Sequence, residues 1–271
     1  MPIRNILVAF NGSDAAVAAL KYAATIAQKD GAYITAILAH TRHEVIDSRH
    51  RWIPAEAQAL ISNANDEIIQ KIEAKFLGLS QELDLGDRLL FRRSTGRVDD
   101  LLATTARAFD LLIVGQHLDG DDEHITLHPD RIALISGRPV IVVPANFVLP
   151  DKHSHVAVAW DGGRAAARAV SDSLRILEDE RRVSLLTVRG TNNPPVDDVL
   201  EHLKRHGTDA IYHDLPRVTS IGEALLKFCK RQDATLLVMG AYEHSKFRED
   251  FLGGVTATVL REIEIPVLLS H

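Results

Sequence analysis

The segment VMGAYEHSKFREDFLGGVT, Val238 to Thr256, runs from an apolar strand ending in Gly240 to the pair Gly253-Gly254 at a helix start. Glycines so placed let a backbone approach a phosphate and donate its amides, which side chains would obstruct. The helix start adds the positive end of its dipole. The chemistry on offer is phosphate binding, although two glycines also spell a turn with a close helix–strand contact. Glu243 opposes the first reading. A carboxylate about 4 Å from a like charge repels it by about 4 kcal/mol at an effective dielectric constant of about 20, enough to remove most of a micromolar affinity. Two ways around it stay open: Lys246 and Arg248 carry charge of the opposite sign, and Glu243 could turn into solvent.

Such a loop works only if strands and helices hold its two ends together, and the chain spells those elements twice. NILVAFNGSDAAVAALKYAATIA from Asn5 aligns without a gap with HVAVAWDGGRAAARAVSDSLRIL from His155. Val17, Leu20, Ala24 and Ala27 fall on Ala167, Val170, Leu174 and Leu177, a spacing that lines one helix face. DLLIVGQ matches TLLVMGA, and GRPVIVVP matches EIPVLLSH. Between the copies, VPANFVLPDKHSH carries Pro144 and Pro150, which continue neither a helix nor a sheet interior. Residues 1–147 and 152–271 are therefore read as two duplicated domains.

The pattern predicts strands near 5–10, 32–39, 88–92, 111–115 and 139–143, then near 155–160, 183–188, 209–213, 235–240 and 265–270. Helices are expected near 13–29, 55–83, 97–108 and 126–136, then near 163–179, 196–206, 221–232 and 252–262. Ser220 and Glu223 spell a capping box. LLIVG and LLVMG lack alternation, as parallel strands covered on both faces do. Strand–helix alternation gives a doubly wound α/β sheet, which takes ligands at the carboxyl ends of its strands where strand order reverses.

On these residues the chain resembles a tandem universal stress protein. The carriers are ILVAFNGSDAA and VAVAWDGGRAA after the first strands, GAYEHSKFREDFLGGVT, and the closing PVIVVP and PVLLSH. The resemblance implies two adenine-nucleotide alpha-hydrolase-like (Rossmann-like) domains. Each would be a five-stranded parallel sheet of order 3-2-1-4-5 with helices on both faces. Family members that hold ATP carry a glycine, two residues, a second glycine, nine residues, a third glycine, then Ser or Thr. Here the corresponding positions are Gly240, Glu243, Gly253 and Gly254, followed by Val255. The first and third glycines match, whereas Glu243 and Gly254 depart. Asp161, with Ala159 and Trp160 before it, falls where the family meets adenine and ribose, and Val188 falls where it flanks adenine. Family dimers join through the last strand, which implies that PVIVVP and PVLLSH pair within this chain, and leaves a homodimer open.

The first half departs further. His128 and Pro129 stand against Gly253 and Gly254, and Asn11 against Asp161. Proline has no amide to donate, and Asp119, Asp121, Asp122 and Glu123 crowd the same stretch, so this copy is expected to lack the site.

Other chemistries fit less well. WDGGRA differs from the serine-glycine-glycine-x-aspartate loop of ATP pyrophosphatases at both polar positions, Asp161 and Ala165, and no Walker A lysine appears. Among thirteen histidines, His202 and His206 share a helix face, and His40, His43 and His50 share a loop. The helical pair has no third ligand beside a carboxylate base, so solvated histidines are expected. The acids from Asp119 to Glu123 lack the ligand spacing of a calcium loop. Trp52 reads as a lid on its own domain or a partner contact. The lone cysteine, Cys229, shares a helical stripe with Leu225 and Phe228 and reads as a buried inert thiol in a reducing compartment. A net charge of −6 argues against nucleic acid, and no apolar run approaches a membrane span, so a cytoplasmic protein is expected.

Three functions follow as expectations. The first is a stress-response binding protein holding ATP (with Mg), ADP or AMP in the second domain. The second is a nucleotide-free structural or interaction module. The third is a weak ATPase, for which no catalytic residue is nominated.

Overall fold

The computed structural model describes residues 2–41, 55–117, 125–148, 155–178, 182–189, 195–217, 220–241 and 254–271, with the side chains of 55–62 left aside. In the first half the strands are β1 (Asn5–Ala9), β2 (Tyr33–His40), β3 (Leu89–Thr95), β4 (Leu111–Gly115) and β5 (Val140–Val143). Its helices are α1 (Asp14–Asp30), α2 (Ala55–Leu83), α3 (Val98–Ala106) and α4 (Pro129–Ser136). The second half has β6 (Val156–Ala159), β7 (Val183–Val188), β8 (Ala210–Leu215), β9 (Leu236–Gly240) and β10 (Val267–Ser270). Its helices are α5 (Arg164–Leu177), α6 (Asp197–Arg205), α7 (Ile221–Arg231) and α8 (Val255–Glu262).

All ten strands form one sheet in the order β3-β2-β1-β4-β5-β10-β9-β6-β7-β8. Each half is parallel and of order 3-2-1-4-5. The halves join where β5 and β10 run antiparallel, Ile141 opposite Leu268. Every residue of β4, β5, β7 and β10 is buried, because both faces are covered, and β4 and β5 accordingly lack polar alternation. One face packs under α1, α2, α5 and α6 through Leu20, Phe76, Val170 and Leu203. The other packs under α3, α4, α7 and α8 through Leu102, Ile132, Leu225 and Val259. The duplication thus becomes a pseudo-twofold layer, with each core running across the β5–β10 seam.

Local sequence sets the helix ends. The Ser13 hydroxyl accepts from the Ala16 amide at 3.1 Å and opens α1. Gly31, left-handed at φ 69°, closes it, as glycine at this position does without a Cβ penalty. The Ser220 hydroxyl accepts from the Glu223 amide at 3.1 Å and opens α7.

Two side-chain contacts reinforce the seam. Arg175 Nη2 of α5 lies 2.8 Å from Asp30 Oδ1 at the end of α1. Gln116 Nε2, just after β4, donates to the last carbonyls of α8, Leu260 at 3.0 Å and Arg261 at 3.3 Å.

A buried polar string also crosses the second half. His155 is 3% exposed. Its Nδ1 lies 2.9 Å from the Gln232 carbonyl and its Nε2 2.9 Å from Ser184 Oγ. Ser184 Oγ lies 3.3 Å from His213 Nε2. A carbonyl only accepts, so His155 donates from Nδ1. Ser184 then donates to His155 and accepts from His213. Both imidazoles are neutral in this pattern. Burial is the largest cause lowering the affinity of each for a proton, with the Arg182 charge adding to it. Folded-state values below the ordinary histidine value of about 6.5 mean that the unfolded chain takes up protons first. Stability is therefore expected to be intact above about pH 7 and to fall as pH drops through 6.5 and below. Urea midpoints at pH 7.5 and 5.5 measure this, and His155→Gln should flatten the difference. An equal slope in that variant would assign it elsewhere.

Candidate functional site

The carboxyl ends of β7, β6 and β9 lie side by side in the second half. At this edge β6 leads into α5 on one face of the sheet, while β9 leads towards α8 on the other. That divergence opens the crevice in which doubly wound sheets take ligands.

After Ala159, the Trp160 amide donates to the Leu186 carbonyl at 2.8 Å and its indole N–H donates to the Pro195 carbonyl at 3.2 Å. Asp161 Oδ1 accepts from the Gly163 amide at 2.9 Å. Gly162 between them is left-handed at φ 78°, a conformation that glycine adopts without strain. The first half builds the same turn: Gly12 has φ 79°, and Asn11 Oδ1 accepts from the Ser13 amide at 3.1 Å. A neutral amide thus braces the turn as well as a carboxylate does. The turn alone does not require the negative charge of Asp161.

Val188 ends β7 and is buried among the residues under α7 and α8. It stands one strand out from Ala159, since Ala159 pairs with Leu186. Gly240 ends β9, where an added Cβ would lie 2.5 Å from the Ala166 amide nitrogen and 2.6 Å from the Ala165 carbonyl carbon. Gly115 in the first half meets the equivalent Ala15 and Ala16 at 2.6 to 2.8 Å. The fourth-strand glycine therefore has a packing reason that is repeated in both copies: the strand end touches the first turn of the first helix.

Gly254 is the N-cap of α8, with φ −73°. Among the described residues nothing lies within 4 Å of where its Cβ would be, so none of them bars a serine or threonine there. Val255 is the first residue of α8, and its carbonyl comes within 3.3 Å of a Cβ placed on Gly222 of α7. The structure brings Ala159, Trp160, Asp161, Val188 and Gly240 to one edge, with Gly254 opening the helix beyond it. Glu243, Gly253, Lys246 and Arg248 lie outside the described residues, as do Trp52, His43, His50 and the acids Asp119 to Glu123.

In the first half the helix start is built differently. The His128 amide, at the N-cap of α4, donates to Asp99 Oδ1 at 2.9 Å, and Pro129 follows it without an N–H. At this end of α4 the N-cap amide is spent on Asp99 and the next residue has none to offer. The pairing of Asp99 with His128 has no signature in the sequence, because the two residues lie on separate helices. Cys229 is buried, and burial pushes its thiol up to about 12, which keeps it protonated and inert. His202 and His206 are exposed, with ring centres 4.7 Å apart. Among the described residues no group of three histidine, cysteine or acidic side chains is placed to hold a metal, and no helix is long and apolar enough to cross a membrane.

The fold defines a tandem Rossmann-like protein built of two doubly wound copies. Comparison with known proteins assigns the class. The signature of the universal stress protein family matches residues 2–144 and again residues 152–271. The chain belongs to the universal stress protein family, with two such domains in tandem. It is 26% identical over 292 aligned positions to the universal stress protein Slr1230 of Synechocystis sp., covering 98% of this chain and 99% of that one. Among solved structures it is similar to a universal stress protein from Archaeoglobus fulgidus, with 16% identity, a TM-score of 0.74, and 98% and 95% of the two chains covered. It is also similar to a putative universal stress protein from Pseudomonas aeruginosa, with 15% identity, a TM-score of 0.57, and 99% and 93% covered. At these identities the structures speak to the fold.

Proposed function

We propose that this universal stress protein is a cytoplasmic stress-response protein that acts by binding, with an adenine nucleotide held at the carboxyl edge of its second domain. One observation carries the reading. β6 and β9 are neighbours in the sheet and send their following helices to opposite faces, with Asp161 on one lip and the N-terminus of α8, whose N-cap is Gly254, on the other. Asp161 would take the ribose hydroxyls, Ala159, Trp160 and Val188 the adenine, and the amides after Gly253 the phosphate, with Mg accompanying ATP. Glu243 sets the preference. AMP, with a single phosphate, escapes most of its repulsion, whereas the polyphosphate of ATP meets it.

Calorimetric titration of the full chain tests this. Wild type is expected to bind AMP more tightly than ATP–Mg, and Glu243→Gly to strengthen ATP binding at least tenfold. No heat from any nucleotide with either protein would remove the proposal. The packing role of Gly240, repeated at Gly115, favours a second reading, in which the duplicated units form a nucleotide-free interaction module. That reading gains if only the Glu243→Gly variant binds. Turnover enters neither reading, and phosphate release sensitive to Asp161→Ala would contradict both.

A further inference from the structure

The first domain has a histidine, His128, where the second has the loop glycine Gly253, and the structure shows what holds it. His128 Nδ1 lies 3.0 Å from Asp99 Oδ2, and the same carboxylate accepts the His128 amide through its other oxygen. Asp99 is 7% exposed, and Arg131 Nη1 stands 3.8 Å from it. Arg131 also reaches Asp100 Oδ1 at 3.0 Å, which ties α3 to α4. A buried, doubly engaged carboxylate fixes both the ring orientation and the tautomer. Nδ1 carries the proton, and Nε2 is left with its lone pair on a side chain that is 56% exposed. Carboxylates orient metal-ligating histidines in this manner and raise their basicity.

A second imidazole lies beside it. The His117 ring, two residues beyond β4, is centred 5.7 Å from that of His128, tilted by 48°. A zinc–nitrogen bond of about 2.0–2.1 Å puts an imidazole centre about 3.2 Å from the ion, so two rings sharing one tetrahedral ion have centres roughly 5–6 Å apart. The observed spacing falls within that range.

We propose that His117 and His128, oriented by Asp99, form a binding site for a divalent transition ion of the zinc type at the ligand edge of the first domain. Imidazole nitrogen suits zinc, nickel and copper rather than magnesium or calcium. These are the two ligands among the described residues, and a tetrahedral ion has two further positions to fill. The first copy has exchanged a glycine loop for nitrogen donors at the edge where its twin meets phosphate.

The test is a calorimetric titration of chelator-treated full-length protein with zinc chloride. It uses a chain that already carries His202→Ala and His206→Ala, which removes the exposed helix pair as a rival. This chain is expected to bind zinc. His128→Ala and His117→Ala should each lower the affinity at least tenfold, and Asp99→Asn by about 10–100-fold through loss of ring orientation. His117→Ala leaves the Asp99 clip between α3 and α4 in place, and its melting temperature is measured beside that of the starting chain, so that a loss of affinity at an unchanged melting temperature is a loss of the ligand. No zinc heat in the starting chain, or zinc binding unchanged by both His117→Ala and His128→Ala, would overturn the proposal.

Discussion

Replacing Arg175 with leucine is expected to destabilise the protein by about 3–5 kcal/mol, the usual cost of stripping a buried charge of its partner. Asp30 is the charge at risk. Its side chain is 4% exposed, and its other oxygen accepts from the Ile3 amide at 3.3 Å, so it cannot turn out to water without unpicking the N-terminus. The pair also clamps α1 of one domain to α5 of the other across the β5–β10 seam. The loss should therefore appear as a lower melting temperature for the whole molecule, on the order of 10 °C at about 2–4 °C per kcal/mol. Asp30→Asn in the Arg175→Leu chain should restore more than half of the loss, because no buried charge then remains. A single-variant cost below about 1 kcal/mol would mean that water already screens the pair.

Gly240→Ala and Gly115→Ala should each cost about 3 kcal/mol, at or beyond the upper end of the range for an overpacked methyl group. The added carbon would lie 2.5 to 2.6 Å from backbone atoms of the first helical turn, and backbone, unlike a side-chain tip, has no alternative rotamer. α1 or α5 would have to lift from the sheet. Gly254→Ala is the control. Among the described residues its Cβ would meet nothing within 4 Å, so its change should stay within about 1 kcal/mol, the cost of alanine in place of glycine at an N-cap. Urea midpoints of the three variants decide the matter. Equal losses at 115 and 240 identify the fourth-strand glycine as a packing residue in both domains. A stable Gly240→Ala that fails only in nucleotide binding would instead show that the phosphate is the reason for that glycine.

Much of the fold was legible before any coordinates. The duplication, the strand and helix spans and the parallel character came from local signals: the gapless match of Asn5 onward with His155 onward, unbroken runs such as LLIVG, and the Ser220 capping box. Each is a property of a few adjacent residues, so it survives in one dimension. The candidate site was legible in part. Asp161, Trp160 and Val188 do meet at one edge, because strand ends of a parallel sheet must. Gly240, however, is explained equally by packing, a role that shows only once Ala165 and Ala166 are seen against it.

What the tertiary structure alone decided has one physical character: contacts between residues far apart in sequence that follow no period. Asp30 finds Arg175 at a separation of 145 residues, Asp99 finds His128 at 29, and His155 finds Ser184 at 29. The apolar pattern fixed which faces were buried, because hydrophobic burial is non-directional and depends on composition and period. Polar pairing is directional and short-ranged. Which carboxylate met which cation or imidazole was settled only when the sheet closed into a single ten-stranded layer and set those side chains within hydrogen-bonding distance.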